Sequence, residues 1–175
     1  VLHQSKIVYS DGTRGHADIP IATRLACLGA ATFTYRVENG RPIIENFEGL
    51  RGEVLGEQTV PRAEAWAATI LVSGIHPNAV ARIGIDAAYV ADGIAKRSRL
   101  EKGKNGDIWS LLFAILYMRT AHLGVAKVTS HLEEIAYEAI EAQAAEICDI
   151  IGNALADEAA AIAAGLLRPT SVEIK

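Results

Sequence analysis

At 175 residues, half of them hydrophobic and 22% charged, the chain has the length for one domain with a normal core and the composition of a soluble globular protein. Its formal net charge of −4 excludes nucleic-acid binding through general basicity, but not a local basic face. The longest apolar stretch, Ile108 to Met118, is too short to span a bilayer and is bounded by Asp107 and Arg119.

The chain begins Val-Leu-His-Gln-Ser-Lys, with no apolar core of signal-peptide length and no initiating Met, so it is open whether it belongs to something longer. A first strand is expected from Lys6 to Ser10, ending in Asp11-Gly12-Thr13. A polar loop through Arg14, His16 and Asp18 to Pro20 follows. A long strand is expected around Leu28 to Val37, and Asn39-Gly40 is a strong turn signal that pairs it with a third strand within Arg41 to Val54. Pro61 suits a first helical turn, with Thr59 as a possible cap, and Ala63, Trp66, Ala67 and Ile70 mark one helical face before Gly74, His76 and Pro77 end it.

The next stretch, Arg82 to Gly93, starts as a β-rich run (Val80, Ile83, Ile85) and changes to helical spacing through Ala87, Val90, Ala91 and Ile94. The change falls at Asp86, which either caps the helix or stands at the carboxyl end of a strand where α/β sheets place their chemistry. A helix starting at Asn105 or Asp107 carries two apolar stripes, Ile108, Leu111, Leu112, Ile115 and Met118, and Trp109, Phe113 and Tyr117, which predicts the most buried helix of the protein. A fifth strand is expected from Ala126 to Ser130, leading to His131. From Glu133 an acidic helix follows, interrupted by Gly152 before a last Ala-rich helix from about Asn153 to Leu167. The expected limits are one domain over 1–168, with 132–151 as a helical insertion and 169–175 as a tail.

Charge is segregated. Between Lys96 and Lys104 lie Lys96, Arg97, Arg99, Lys102 and Lys104 against the single acid Glu101. Between Leu132 and Ile150 stand Glu133, Glu134, Glu138, Glu141, Glu146 and Asp149, with no Lys or Arg. Cys27 and Cys148 have no zinc or disulfide spacing and read as buried thiols of a reducing, intracellular compartment.

Four acids hold positions that a plain fold does not demand. Asp11 ends the first strand, where an Asp-Gly turn is the simpler account. Glu64 suits the positive end of its helix, yet it nearly shares a face with Leu71. Asp86 is described above, and Asp157 follows Asn153 by one turn on what could equally be a solvated face. Together, four carboxylates would serve two divalent ions about 3.5 to 4 Å apart, which orient water and stabilise a leaving oxygen at phosphorus. Mg²⁺ takes oxygen ligands and keeps several waters, so no His or Cys cage is required.

In order along the chain, Tyr9-Ser10-Asp11-Gly12-Thr13, Gln58-Thr59-Val60-Pro61-Arg62-Ala63-Glu64, Ile85-Asp86-Ala87-Ala88-Tyr89-Val90, Asn105-Gly106-Asp107-Ile108-Trp109, Val128-Thr129-Ser130-His131 and Gly152-Asn153-Ala154-Leu155-Ala156-Asp157 resemble the motifs of type 1 ribonuclease H. The form Thr-Val-Pro-Arg-Ala-Glu is most similar to domains attached to retroelement reverse transcriptases. The resemblance implies an α/β fold with a five-stranded mixed sheet, three antiparallel strands then two parallel, flanked by helices. It also implies endonucleolytic hydrolysis of the RNA strand of an RNA/DNA hybrid to 5′-phosphate and 3′-hydroxyl ends. Asp11, Glu64, Asp86 and Asp157 would hold two Mg²⁺, with Mn²⁺ able to substitute, and His131 would assist proton transfer or product departure. Thr13, Arg62, Lys96, Arg97, Arg99 and Asn153 would contact the hybrid. Two departures stand out: Ala88, Val60 and Pro61 replace polar residues that many cellular members use, and 21 residues separate His131 from Asn153 where those enzymes have a short loop. A degenerate, non-catalytic domain of a retroelement polyprotein is the alternative, against which all four acids count. A 3′ to 5′ exonuclease would usually carry Asp-x-Glu, which Asp11-Gly12-Thr13 does not match.

Overall fold

The computed structural model describes residues 3–4, 7–14, 25–39, 41–96, 99–129 and 147–166. Five strands form one mixed sheet: β1 (Ile7–Arg14), β2 (Ala26–Glu38), β3 (Arg41–Glu53), β4 (Ala81–Ile85) and β5 (Leu123–Lys127), in the order β3-β2-β1-β4-β5. A two-residue piece, His3–Gln4, also pairs with β2. β1 to β3 are antiparallel, with Tyr9 opposite Ala31 and Cys27 opposite Glu53, and Asn39 takes the left-handed backbone (φ 52°) that the Asn-Gly turn predicts. β4 lies parallel to β1 and β5 parallel to β4. This is the mixed sheet that the sequence motifs imply.

On one face lie α1 (Val60–Gly74), α2 (Ala88–Lys96) and α3 (Gly106–Tyr117). They close a core of Ala65, Ala68, Val72, Ile83, Ile85, Val90, Ile108, Trp109 and Leu112, the small α1 residues letting that helix lie close to the strands. α4 (Ile147–Leu166) covers the other face and buries Tyr9, Phe33, Val128 and Ala156. Cys27 is buried and Cys148 half-buried, and neither is in a disulfide among the described residues.

Five expectations need correction. β1 does not end at Asp11 but runs on to Arg14, so Asp11-Gly12 is paired strand and not a turn. Gly12 is required for a different reason: a Cβ there would lie 2.5 Å from the Glu64 nitrogen and 2.6 Å from the Ala63 carbonyl carbon, so α1 rests on the bare strand. β5 begins three residues earlier than expected, because its register follows β4, with Ala81 opposite Leu123.

Gly152 does not break a helix. Residues 147–166 are one α-helix, and a Cβ at Gly152 would collide with the Tyr9 ring, so the glycine admits the tyrosine. α1 and not α3 is the more buried helix: α3 buries Ile108, Trp109, Leu112 and Leu116 but leaves Leu111 and Tyr117 exposed, since it packs chiefly against α1 and the turn Arg99–Lys102. Finally, Thr59 stands at the N-cap of α1 without a side-chain capping bond, the first turn closing on its carbonyl through Ala63 N–H. Residues 132–146 of the expected acidic insertion, and the tail 169–175, lie outside the described residues. No helix among the described residues is long and apolar enough to cross a membrane.

Candidate metal centre

The parallel register sets the first two acids side by side. Ser10 of β1 stands opposite Ile85, the last residue of β4, so the next residue of each strand is an acid, Asp11 and Asp86. α2 opens on the carbonyl of Ala87, which accepts from the N–H groups of Val90 and Ala91. Ala87 therefore holds the cap position, and Asp86 is not consumed as the N-cap. The third acid comes from α1, where the contact with Gly12 brings Glu64 to the same point. Carboxylate oxygens of Asp11, Glu64 and Asp86 all lie within 4.8 Å of one another, with Asp11 and Glu64 buried and Asp86 half-buried.

This grouping is costly without a counter-charge. Burial, followed by the charges of Asp86 and Asp157, pushes Asp11 up to about 7, against the opposing hydrogen bonds from Gly12 N–H (2.6 Å) and Glu64. Burial, then the charges of Asp11 and Asp86, pushes Glu64 up to about 10, and its hydrogen bond with Asp11 adds to the rise. The second oxygen, Glu64 Oε2, is buried with no hydrogen-bond partner in the structure. A buried carboxylate oxygen with nothing to accept from, inside an all-oxygen donor set, fits a hard divalent cation.

Asp157 lies on α4, half-buried, outside the set whose oxygens fall within 4.8 Å, though its charge still acts on Asp11. Asn153, one turn earlier, is buried with its Oδ1 unbonded in the structure. α4 reaches this position through a second bare patch on the sheet. Gly29 stands opposite Asp11, and a Cβ there would lie 2.5 Å from the Ala160 nitrogen and closer still to the Ala156 carbonyl oxygen.

The expected substrate residues are scattered. Thr13 is half-buried in β1, opposite Cys27. Arg62 has its guanidinium engaged within the protein: Nε donates to the Leu55 carbonyl (2.7 Å), and Nη1 and Nη2 make a bidentate pair with Asp107 (3.0 and 2.6 Å). Nη1 also reaches Asn105 Oδ1 at 3.4 Å. Lys96 ends α2 and Arg99 opens a 3₁₀ turn (Arg99–Lys102), while Arg97 and His131 lie outside the described residues.

Three positioning contacts were not read from the sequence. Tyr89 donates its hydroxyl to the Pro61 carbonyl, which ties α2 to the first turn of α1 just ahead of Glu64. Gln58 accepts from Ala26 N–H (2.6 Å) and donates to the carbonyls of Val54 (2.8 Å) and Gly56 (2.9 Å), fixing the entry to α1. Tyr9 donates to Asp149 Oδ1 across the sheet-helix interface. Nothing local in the sequence marks any of these three ties.

No family model matches the sequence, and no curated protein does. Solved structures do match. The RNase H domain of PFV superposes with a TM-score of 0.60 at 19% identity, over 91% of this chain and 94% of that one. The protease-reverse transcriptase of Prototype Foamy Virus gives 0.62 at 20% identity over 93% of this chain, which spans 21% of that longer protein. LC11-RNase H1, solved in complex with an RNA/DNA hybrid, gives 0.55 at 17% identity over 91% of this chain and 98% of that one. At such identities the shared property is the architecture, and the sheet order and the helices on both faces agree with it: the chain has the ribonuclease H fold.

Proposed function

We propose that the chain hydrolyses the RNA strand of RNA/DNA hybrids, leaving 5′-phosphate and 3′-hydroxyl ends, with Asp11, Glu64, Asp86 and Asp157 holding two divalent ions. The observation that carries the reading is the convergence of Asp11, Glu64 and Asp86 with a buried, unbonded Glu64 oxygen among them. Mg²⁺ suits this donor set and Mn²⁺ can replace it; when bound, the ions supply a water of lowered pKa and charge neutralisation at the phosphate.

The chain's own groups do the rest. Asp11, on which the charges of both Asp86 and Asp157 act, would be among the acids that hold the ions. Glu64 would be among the acids that hold an ion, its unbonded Oε2 being the oxygen available for it, and would help to orient water there. Asn153, with its buried acceptor, borders the side toward Asp157. His131 moves a proton or assists departure, and Thr13, Lys96, Arg97 and Arg99 meet the hybrid. Arg62 acts through the clamp that holds the α1 and α3 entries together. The likeness to a protease-reverse transcriptase supports a retroelement setting with a fused or associated reverse transcriptase. Domain limits of 1–168 and a reducing, intracellular compartment, in keeping with two cysteines outside any disulfide among the described residues, belong to the same reading.

The test is cleavage of a labelled RNA/DNA hybrid by the full chain with Mg²⁺ or Mn²⁺, against single- and double-stranded controls. RNA-strand products that disappear with EDTA are expected. A folded, metal-supplied sample that leaves the hybrid intact would sink the proposal in favour of a non-catalytic domain.

A further inference from the structure

The hydroxyl of Tyr9 has no part in the reaction above. Tyr9 precedes Asp11 by two residues on β1, is fully buried, and stacks on Phe33 with ring centroids 6.2 Å apart. A phenylalanine would fill that volume equally well. The hydroxyl instead donates to Asp149 Oδ1 at 2.9 Å, bridging residues 140 apart in sequence, with Cys148 as its second polar neighbour. The Tyr9 ring also lies against the backbone at Gly152.

Asp149, Asn153 and Asp157 are spaced by four residues, so they stand on consecutive turns of α4, each about 6 Å further along the axis. The bond to Asp149 adds a side-chain restraint on the rotation and axial position of α4 to the backbone contact that the helix makes at Gly29. Asp157, the acid outside the tight group, depends on that docking for its distance from Asp11. We infer that Tyr9 and Asp149 are a positioning pair that aims Asp157 at the metal centre. The inference rests on the two-ion reading above and extends it to residues that touch neither ion nor substrate.

The experiment is a direct Mn²⁺ titration of the full chain, by calorimetry and by the spin-resonance signal of free Mn²⁺, with thermal melting alongside. Tyr9→Phe and Asp149→Ala should each weaken one of two Mn²⁺ binding steps roughly tenfold, as losing a residue that orients a metal ligand commonly does, and leave the other step unchanged. The double variant should be no worse than either single one, because both remove the same bond. Asp149→Asn keeps an accepting Oδ1 and should titrate like the wild type. In an Asp157→Asn background, Tyr9→Phe should change nothing further. Tyr9→Phe or Asp149→Ala variants that melt earlier but bind both ions as the wild type does would overturn the inference and leave a structural contact. Identical titrations of wild type and Asp86→Asn would remove the two-ion reading itself, and this inference with it.

Discussion

Asp86→Asn separates the electrostatic cost of the acid cluster from its use. In the metal-free protein, Asp11 is raised from 3.8 to about 7 and Glu64 from 4.5 to about 10. A carboxyl with a higher pKa in the folded than in the unfolded state makes the fold lose stability as pH rises between the two values. The metal-free protein should therefore become less stable from about pH 4 upward, through about 7 as Asp11 ionises and on toward about 10 as Glu64 does.

At pH 8 Glu64 still holds its proton, so the chief repulsion is between Asp11 and Asp86. Two unit charges 4.8 Å apart repel by about 3.5 kcal/mol at an effective dielectric of 20 and about 0.9 kcal/mol in bulk water. Asp86 is half-buried, so Asp86→Asn should stabilise the metal-free fold by on the order of 1–3 kcal/mol. For a chain of this size that is a melting shift of roughly 2–12 °C. The assay is thermal denaturation in EDTA from pH 5 to 9, repeated with Mg²⁺. Mg²⁺ at a hundred times its dissociation constant should stabilise the wild type by about 2.7 kcal/mol. The variant should gain much less, show a flatter pH profile in EDTA, and cleave no hybrid. An Asn variant that melts below the wild type in EDTA at pH 8, or gains as much from Mg²⁺, would refute the reasoning.

Two other substitutions probe the scaffold. Gly12→Ala forces a methyl to 2.5 Å from the Glu64 nitrogen, so α1 must lift; a loss of about 1–3 kcal/mol in denaturant unfolding, with weakened Mn²⁺ binding, is expected. Arg62→Met removes the bond to Leu55 and the bidentate pair with Asp107; because Asp107 is largely exposed, the loss in urea unfolding should be only about 1 kcal/mol. A larger drop in hybrid affinity than in stability would instead assign Arg62 to the substrate.

The parts of the centre that could be read in advance are those encoded locally. At Asp86 the apolar period changes from strand to helix within two residues, and Glu64 shows as a charge close to the apolar stripe of its helix. Both are visible in a short window. Asp157 could be placed on its helix but not at a distance from Asp11, because that distance depends on α4 docking across the sheet. The bond from Tyr9 to Asp149 is invisible for the same reason. Gly152 reads as a helix breaker until the Tyr9 ring is seen against it. β5 was expected three residues late because apolar and β-branched content alone cannot fix a parallel register, which here is set by β4 and accompanied by Arg119 holding the carbonyls of Ile75 and Ala79. α3 was expected to be buried on two faces because hydropathy does not show that only one layer of helices covers this side of the sheet.

Gly12 and Gly29 have a consequence for how far this sequence can drift. Asp11 stands next to one and opposite the other, and at each a helix approaches main chain to main chain. The spacing of the acids is therefore gauged by backbone contact and is largely decoupled from which side chains fill the two cores. Aliphatic residues elsewhere in α1 and α4 can be exchanged, one by one, without re-aiming the carboxylates, provided the two bare positions stay bare. An architecture gauged in this way can persist while almost every other position changes, in keeping with structural agreement at one identical residue in five.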